Sequence, residues 1–355
     1  MCYTTLVKFF FMKKAFHLIA LIVLFGSCTE KESSHNYSQV KIETVFEDSV
    51  SIRAIEFLDA NTLAFAGSGG LFGTVDIKTG KIRTNVQKYD SILPAFRAVA
   101  HTSEDFFMLT VGSPALLYKT GEGGKMEMVY KEEGETVFYD AMKFWNDKEG
   151  IAVGDSVDGC LSVLITRDGG RTWRKTPCEE LPDGIEREGA FAASNSNIAI
   201  TGDKTWIATT ESRIYFSPDK GQTWEIQTVP IVGKLPTEGI YSIDFYDDNL
   251  GVAIGGDYTK PEDPRNNKAL TTDGGESWGI IADGNPPGYK SCVRFIPNSG
   301  GEDIVAIGFT GIAYSKTKGK TWTDLNNESF YTVRFLNDSI AYAAGKNRIA
   351  KLTFQ

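Results

Sequence analysis

Histidine is almost absent from this chain: three occur in 355 residues, at His17, His35 and His101, and they are scattered. No pair of cysteines or histidines has the spacing of a zinc site, so no metal is expected. There is no C-x-x-C redox pair, no haem-attachment motif and no G-x-G-x-x-G between a strand and a helix. The glycine-rich string at residues 67–73 lies between two strand-like runs and lacks the helix that a dinucleotide loop needs. No cofactor is therefore expected. Charge of one sign is not concentrated anywhere; the formal net charge of −9 is diffuse, which argues against a nucleic-acid partner. Long hydrophobic runs are also missing. The apolar stretch at residues 15–25 is too short to span a bilayer as a stable helix. What remains is 41% hydrophobic and 23% charged, with 36 glycines, the profile of a globular, turn-rich chain with enough length to bury a core.

The N-terminus reads as a targeting segment. From Met12 it runs Met-Lys-Lys, then the short apolar stretch, then Gly26-Ser27-Cys28. Met12 is a candidate for the true start. The string LFGSC resembles the lipobox of bacterial lipoproteins, although Phe25 replaces the usual aliphatic residue. That resemblance implies acylation of Cys28, a signal peptide over residues 1–28, export, and anchoring to a bacterial membrane facing the periplasm or the cell surface. A plain secretory signal is the alternative. Residues 29–36 are polar and read as a tether. Besides Cys2 and Cys28, the chain carries Cys160, Cys178 and Cys292, which allow one bridge at most. Cys160 and Cys178 are candidates, but spacing alone does not establish the pair.

The rest of the chain is repetitive. Seven apolar runs end in a small-residue turn, anchored by Gly67, Gly112, Gly154, Gly202, Gly255, Gly308 and Gly345, at intervals of 37 to 53 residues. Before each run lies another strand-like segment. One of its columns is small throughout: Ala54, Ala98, Ala141, Ala190, Ser242, Cys292 and Thr332. The next column is apolar: Ile55, Val99, Met142, Phe191, Ile243, Val293 and Val333. Small residues in register suit innermost strands that converge on an axis, and apolar residues on both faces suit sheets covered by their neighbours. The pattern predicts an all-β, seven-bladed β-propeller of four-stranded antiparallel blades over residues 37–355, with six blades as the alternative. The last repeat is one strand short, and residues 39–46 alternate well enough to supply it and close the ring.

A third marker falls late in four repeats: TRDGGRTW, SPDKGQTW, TTDGGESW and SKTKGKTW. These strings resemble the Asp-box of the BNR-repeat propeller superfamily. Asp168, Asp219 and Asp273 are suited to accept backbone N–H groups across a hairpin turn, and Trp173, Trp224, Trp278 and Trp322 to cover its base. The fourth box has Thr317 in place of Asp, and the first two repeats keep only traces of the box. The region is similar to photosystem II assembly-factor-like and BNR-like lipoproteins of bacteria and, more distantly, to sialidases. The resemblance implies structural roles for the box residues and places any site on the opposite, funnel face.

That face is expected to gather Arg53, Arg97, Asp140, Glu188, Tyr241 and Tyr331 near the axis. Asp155, Asp203, Trp206, Asp257, Tyr258 and Lys260 are expected to join them from the loops after the glycines. Arg53 and Arg97 occupy equivalent positions of adjacent repeats and suit a carboxylate or phosphate. The favoured reading is a monomeric binding or assembly scaffold, taking a protein, a glycan or a small anionic ligand. The resemblance to sialidases offers a glycosidase acting on an acidic glycan as the alternative, with Asp140 as acid and Tyr241 or Tyr331 as nucleophile. Against it, the sialidase Arg-Ile-Pro signature is missing: Arg97 is followed by Ala98-Val99. A propeller can also hold a cofactor through scattered residues, which leaves an oxidoreductase as a remote third reading.

Overall fold

The computed structural model describes residues 35–355. The expected signal segment, the candidate lipidation site Cys28 and most of the expected tether lie outside the described residues. The tether's last residues do not hang free. His35 donates its backbone N–H and presents Nδ1 to Asp303 Oδ2 (3.1 and 2.8 Å), and its ring stacks on Tyr37. Lys316 Nζ donates to the Asn36 side chain at 2.6 Å. The ordered domain therefore starts at or before His35 and not at residue 37.

The architecture is all-β, with three short 3-10 turns among the described residues. Five sheets have four antiparallel strands each, and one has seven. The first strands of successive sheets are Val40–Asp59, Phe96–His101, Tyr139–Phe144, Ile198–Thr201, Ile240–Phe245 and Cys292–Phe295. Each packs on the next, and Thr332–Phe335, at one edge of the seven-stranded sheet, packs back on Val40–Asp59 at its centre. The small column lines this ring: Ala54, Ala98, Ala141, Ser242, Cys292 and Thr332 are all fully buried.

Val40–Asp59 is one continuous strand where the sequence suggested two. Its N-terminal part pairs with the last strand, Val40 opposite Phe354 and Phe46 opposite Ile349. Its C-terminal part pairs with Thr62–Gly67, Ile55 opposite Phe65. A register shift between Glu47 and Ser51 lets the strand change partners without ending.

The core is a set of apolar layers between neighbouring sheets. Phe107 and Leu117 of one sheet meet Met142, Leu164 and Trp173 of the next. At the junction of the chain ends, Phe46 and Ile349 pack with Ile55 and Phe65. Burying each such side chain contributes about 1.5–3 kcal/mol, which is why both faces of these strands are apolar.

The hairpin turns use one hydrogen-bond scheme. In the first, Asp168 Oδ1 accepts Thr172 N–H (2.9 Å) and Oδ2 accepts the Thr172 hydroxyl (2.7 Å), while Thr166 Oγ1 accepts Gly170 N–H (2.9 Å). Asp219 and Asp273 repeat it with Thr223 and Ser277. In the fourth turn the Thr317 hydroxyl takes the place of the carboxylate and accepts Thr321 N–H at 2.9 Å. Gly170 has φ 75°, and a Cβ there would sit 2.2 Å from the Phe107 ring. Trp173 caps its turn by donating to Gly170 O (3.2 Å) and packs edge-on against Phe107 and Phe144. The glycines that end the second strands answer a different demand: a Cβ on Gly255 would sit 1.8 Å from Gly239 O, at the start of the first strand of the same sheet.

Candidate functional site

The space between the first strands is not open. Residues 191–197 pass through it without joining any sheet, and they bond to strands all round the ring. Asn195 Oδ1 accepts Met142 N–H (2.9 Å) and its Nδ2 donates to Val99 O (2.7 Å). Ser194 donates to Ser291 O (2.6 Å), Thr332 Oγ1 donates to Ser194 O (2.9 Å), and Arg334 Nη2 donates to Asn195 O (2.9 Å). The Ser196 hydroxyl lies 2.8 Å from that of Ser242. Ser194, Asn195 and Ser196 are all buried, and these bonds answer the cost of placing their polar groups there.

This plug corrects one part of the sequence reading. Residues 187–194 were expected to be the first strand of the fourth sheet, followed by the run that ends at the Gly202 anchor. The first strand is instead Ile198–Thr201, paired with Lys204–Ala208. An axial plug and an innermost strand both require small side chains, so Ala190, Ala192 and Ala193 satisfied either role. The shift moves two expected site residues to the opposite face. Gly202 and Asp203 form the turn between first and second strands, where Asp203 meets Lys220 of a hairpin turn at 3.3 Å. Trp206 is fully buried, and its Nε1 donates to Gly274 O, in the next hairpin turn, at 2.9 Å. Neither faces the funnel.

The two arginines hold the plug from the funnel side. Arg53 Nη1 donates to Ala193 O (3.3 Å) and Arg97 Nη1 to Ala192 O (3.4 Å). Both bonds are long, and Arg53 Nε is buried without a partner. The Arg53 guanidinium lies 4.0 Å over the Tyr331 ring. Burial first, and then the neighbouring Arg53 charge, lower the pKa of Arg97, the signature of two cations held side by side.

An aromatic path climbs from the plug to the rim. Phe191 stacks on Tyr241 at 3.6 Å, Tyr241 meets Tyr289 edge-on at 4.7 Å, and Tyr289 packs on Phe309 at 5.3 Å and on Tyr258 at 6.5 Å. Tyr258 and Phe309 end the path at 46% and 39% exposure, unusual for such large side chains. Phe191, Tyr289 and Phe309 were not among the expected site residues. Phe309 follows an anchoring glycine directly, a signal that the sequence did carry.

Beside the plug sit two carboxyl groups in mutual contact. Asp155 Oδ1 accepts Ala190 N–H at 3.2 Å, and Gly189 leaves room for it, since a Cβ there would fall 1.9 Å from that oxygen. Asp140 is fully buried, and neither of its oxygens has a partner in good hydrogen-bond geometry. Burial, and then the Asp155 charge, push the Asp140 carboxyl well above the usual range, and burial pushes Asp155 up to about 6. Above them a cavity of about 410 Å³ is lined by Arg97, Asp155, Arg187, Phe191, Thr210 and Lys234.

The remaining expected residues have structural partners. Glu188 is buried under the approach to the plug, accepting from Thr209 (2.8 Å), Tyr215 (3.0 Å) and Ile185 N–H (3.1 Å). Asp257 accepts the Thr259 N–H and hydroxyl (2.9 and 2.7 Å) and sits 3.5 Å from Lys260. For the glycosidase alternative, Tyr241 is buried and donates its hydroxyl to Thr237 O (2.9 Å), and burial raises its pKa. Asp140 is fully buried beside the plug, and Tyr331 is half-buried under the Arg53 guanidinium. Cys160 and Cys178 form a disulfide, and Cys292 is a buried thiol. No cluster of three or more metal-ligating side chains occurs among the described residues.

A solved structure described as YCF48 bound to D1 peptide superposes with a TM-score of 0.65 at 14% identity, covering 90% of this chain and 96% of that one. The WD40 β-propeller domain of Doa1 superposes with a TM-score of 0.58 at 10% identity, again over 90% and 96%. The fold is a β-propeller. No family model and no curated protein matches the sequence. Identities this low establish the propeller architecture and leave its ligand to the chemistry of the plugged face.

Proposed function

We propose that this propeller is an exported binding or assembly scaffold whose plugged funnel face takes a carboxylate-bearing polypeptide segment. The observation that carries the reading is the pairing of Arg53 and Arg97. Two adjacent guanidiniums each spend a donor on a long bond to a plug carbonyl, and Arg97 brings positive charge to the lining of a cavity beside the plug. A carboxylate supplies the anionic, bidentate partner that such a pair accepts best. The aromatic path to Tyr258 and Phe309 supplies the apolar anchor that a bound segment needs. That a similarly folded protein is described with a bound peptide agrees with this.

The wider reading treats the seven-stranded sheet as two blades sharing Val40–Asp59, so that seven blades close through the N-terminal strand. The recurring turn scheme supports membership of the Asp-box superfamily. The Cys160–Cys178 disulfide supports an oxidising compartment, consistent with a lipobox at Cys28, a membrane anchor and action as a monomer. A binding role is favoured over glycoside hydrolysis, because the acid and nucleophile candidates are covered or already bonded.

The test is a panel of acidic and aromatic peptides, each with a free and an amidated C-terminus, alongside sialosides and uronic-acid glycans. Binding to the purified protein is compared with Arg53→Ala and Arg97→Ala. Peptide binding that weakens at least tenfold in either variant supports the reading. Binding of the glycans alone, or peptide binding indifferent to both arginines, overturns it.

A further inference from the structure

Below the plug, at the end of the channel away from the funnel, the first strands bring five charged side chains together. They are Glu56, Lys143, Asp244, Arg294 and Arg334, each placed two residues beyond the small column of its own strand. Arg294 pairs with Asp244 at 2.9 Å, and Arg334 pairs with Glu56 at 3.4 Å. Arg334 uses its remaining donors on Thr332, Val333 O and Asn195 O, so it is satisfied. Arg294 is not: it is 7% exposed, and both Nε and Nη2 are buried with no hydrogen-bond partner. Lys143 has neither carboxylate to itself. Three cations thus face two carboxylates that are already committed, and one positive charge is uncompensated in a site with little water.

We propose that this axial site binds one small oxyanion, of the size of sulfate or phosphate, between Lys143 and the unpaired edge of Arg294. Three independent observations converge on it. The two orphaned guanidinium nitrogens require an acceptor, which an anion supplies and no protein group does. The charge count requires a negative ligand. There is also room at the Lys143 end: a cavity of about 380 Å³, lined by Glu56, His101, Lys143, Trp145 and Gly202, opens beside Lys143. The excess positive charge acts on Lys143, whose ammonium is pushed down to about 8 by burial and then by the Arg294 and Arg334 charges. A bound anion would reverse that push. The site does not depend on the funnel face, since the plug separates the two and no residue serves both.

The probe is sulfate, whose charge does not change across the working pH range, titrated into the purified protein by calorimetry and followed by thermal denaturation at constant ionic strength. One saturable site in the wild type, and affinity that falls as pH rises and Lys143 is neutralised, are the expected results. Glu56, Asp244, Arg294, Arg334, Cys292 and His101 are the other titratable or charged groups that face it. Lys143→Met should weaken sulfate at least tenfold, Lys143→Arg should retain it, and Arg53→Ala, on the funnel side, should leave it unchanged. Absence of saturable binding in the wild type overturns the proposal whether or not the variants fold. So does sulfate binding that survives in folded Lys143→Met or disappears in Arg53→Ala.

Discussion

Asn195 offers the sharpest perturbation of the plug. Its side chain is buried and is the sole bridge seen from the plug to the Val99 carbonyl and the Met142 amide, at 2.7 and 2.9 Å. Asn195→Ala leaves both backbone groups buried and unpaired, at about 1–3 kcal/mol each. The backbone adds to this: φ is 53°, a left-handed conformation that Asn tolerates and Ala resists by roughly 1 kcal/mol. The combined loss is about 3–7 kcal/mol. With an unfolding entropy of ~2.1 cal/mol/K per residue over roughly 320 ordered residues, that lowers Tm by about 4–10 °C. Asn195→Gly removes the same hydrogen bonds without the backbone penalty and should recover about 1 kcal/mol. Scanning calorimetry with urea denaturation reads both. A loss below about 0.5 kcal/mol in Asn195→Ala would mean that the segment is not locked in the channel, and the account of the funnel floor would fail with it.

Other outcomes follow from the same structure. Asp155 titrates near 6 in the fold against 3.8 ordinarily, so the unfolded chain releases this proton first, and stability should fall as pH rises from about 4 to 6. Asp155→Asn should flatten that fall, and a slope unchanged in the variant would remove the pair from the explanation. Asp273 is held at about 2 by the Ser277 hydroxyl and amide, so its contribution is present above pH 4 and lost as pH falls towards 2. Asp273→Ala should cost about 1–2 kcal/mol in urea denaturation at neutral pH, and less at pH 2. Phe46→Ala, in the half of the long strand that pairs with the chain's end, should cost about 3–5 kcal/mol, because Phe46 is buried against Phe65 at 4.9 Å. A neutral effect there would contradict the proposed closure by the N-terminal strand.

Much of the architecture was legible because each device leaves its own residue type. A turn that needs positive φ leaves glycine, a convergent axis leaves a small column, and a hairpin closed by a carboxylate leaves Asp before Gly and Trp. The plug was not legible, and the reason is specific. Residues 190–194 face the same steric demand as an innermost strand, so an Ala-rich run satisfies both roles, and only the bonds of Asn195 and Ser194 distinguish them. Asp203 and Trp206 were misplaced as a direct consequence. Arg53, Arg97, Tyr241, Tyr258 and Tyr331 were placed near one another by register alone. Their partners were not, since the carbonyls of Ala192 and Ala193 come from a segment whose path the sequence did not reveal. The charged ring below the plug was missed for a simpler reason: its members are far apart in the chain and share only a position two residues past the small column.

The central claim is that the funnel face, with its paired arginines and aromatic rim, is the recognition surface. Hydrogen exchange on the protein with and without the tightest peptide of the panel tests it most directly. Protection should appear in the loops after Gly255 and Gly308, which carry Tyr258 and Phe309, and at the plug around Ala192 and Ala193. Protection confined to the hairpin turns of Asp168, Asp219 and Asp273, with the plug and rim unchanged, would place recognition on the opposite face and contradict the account.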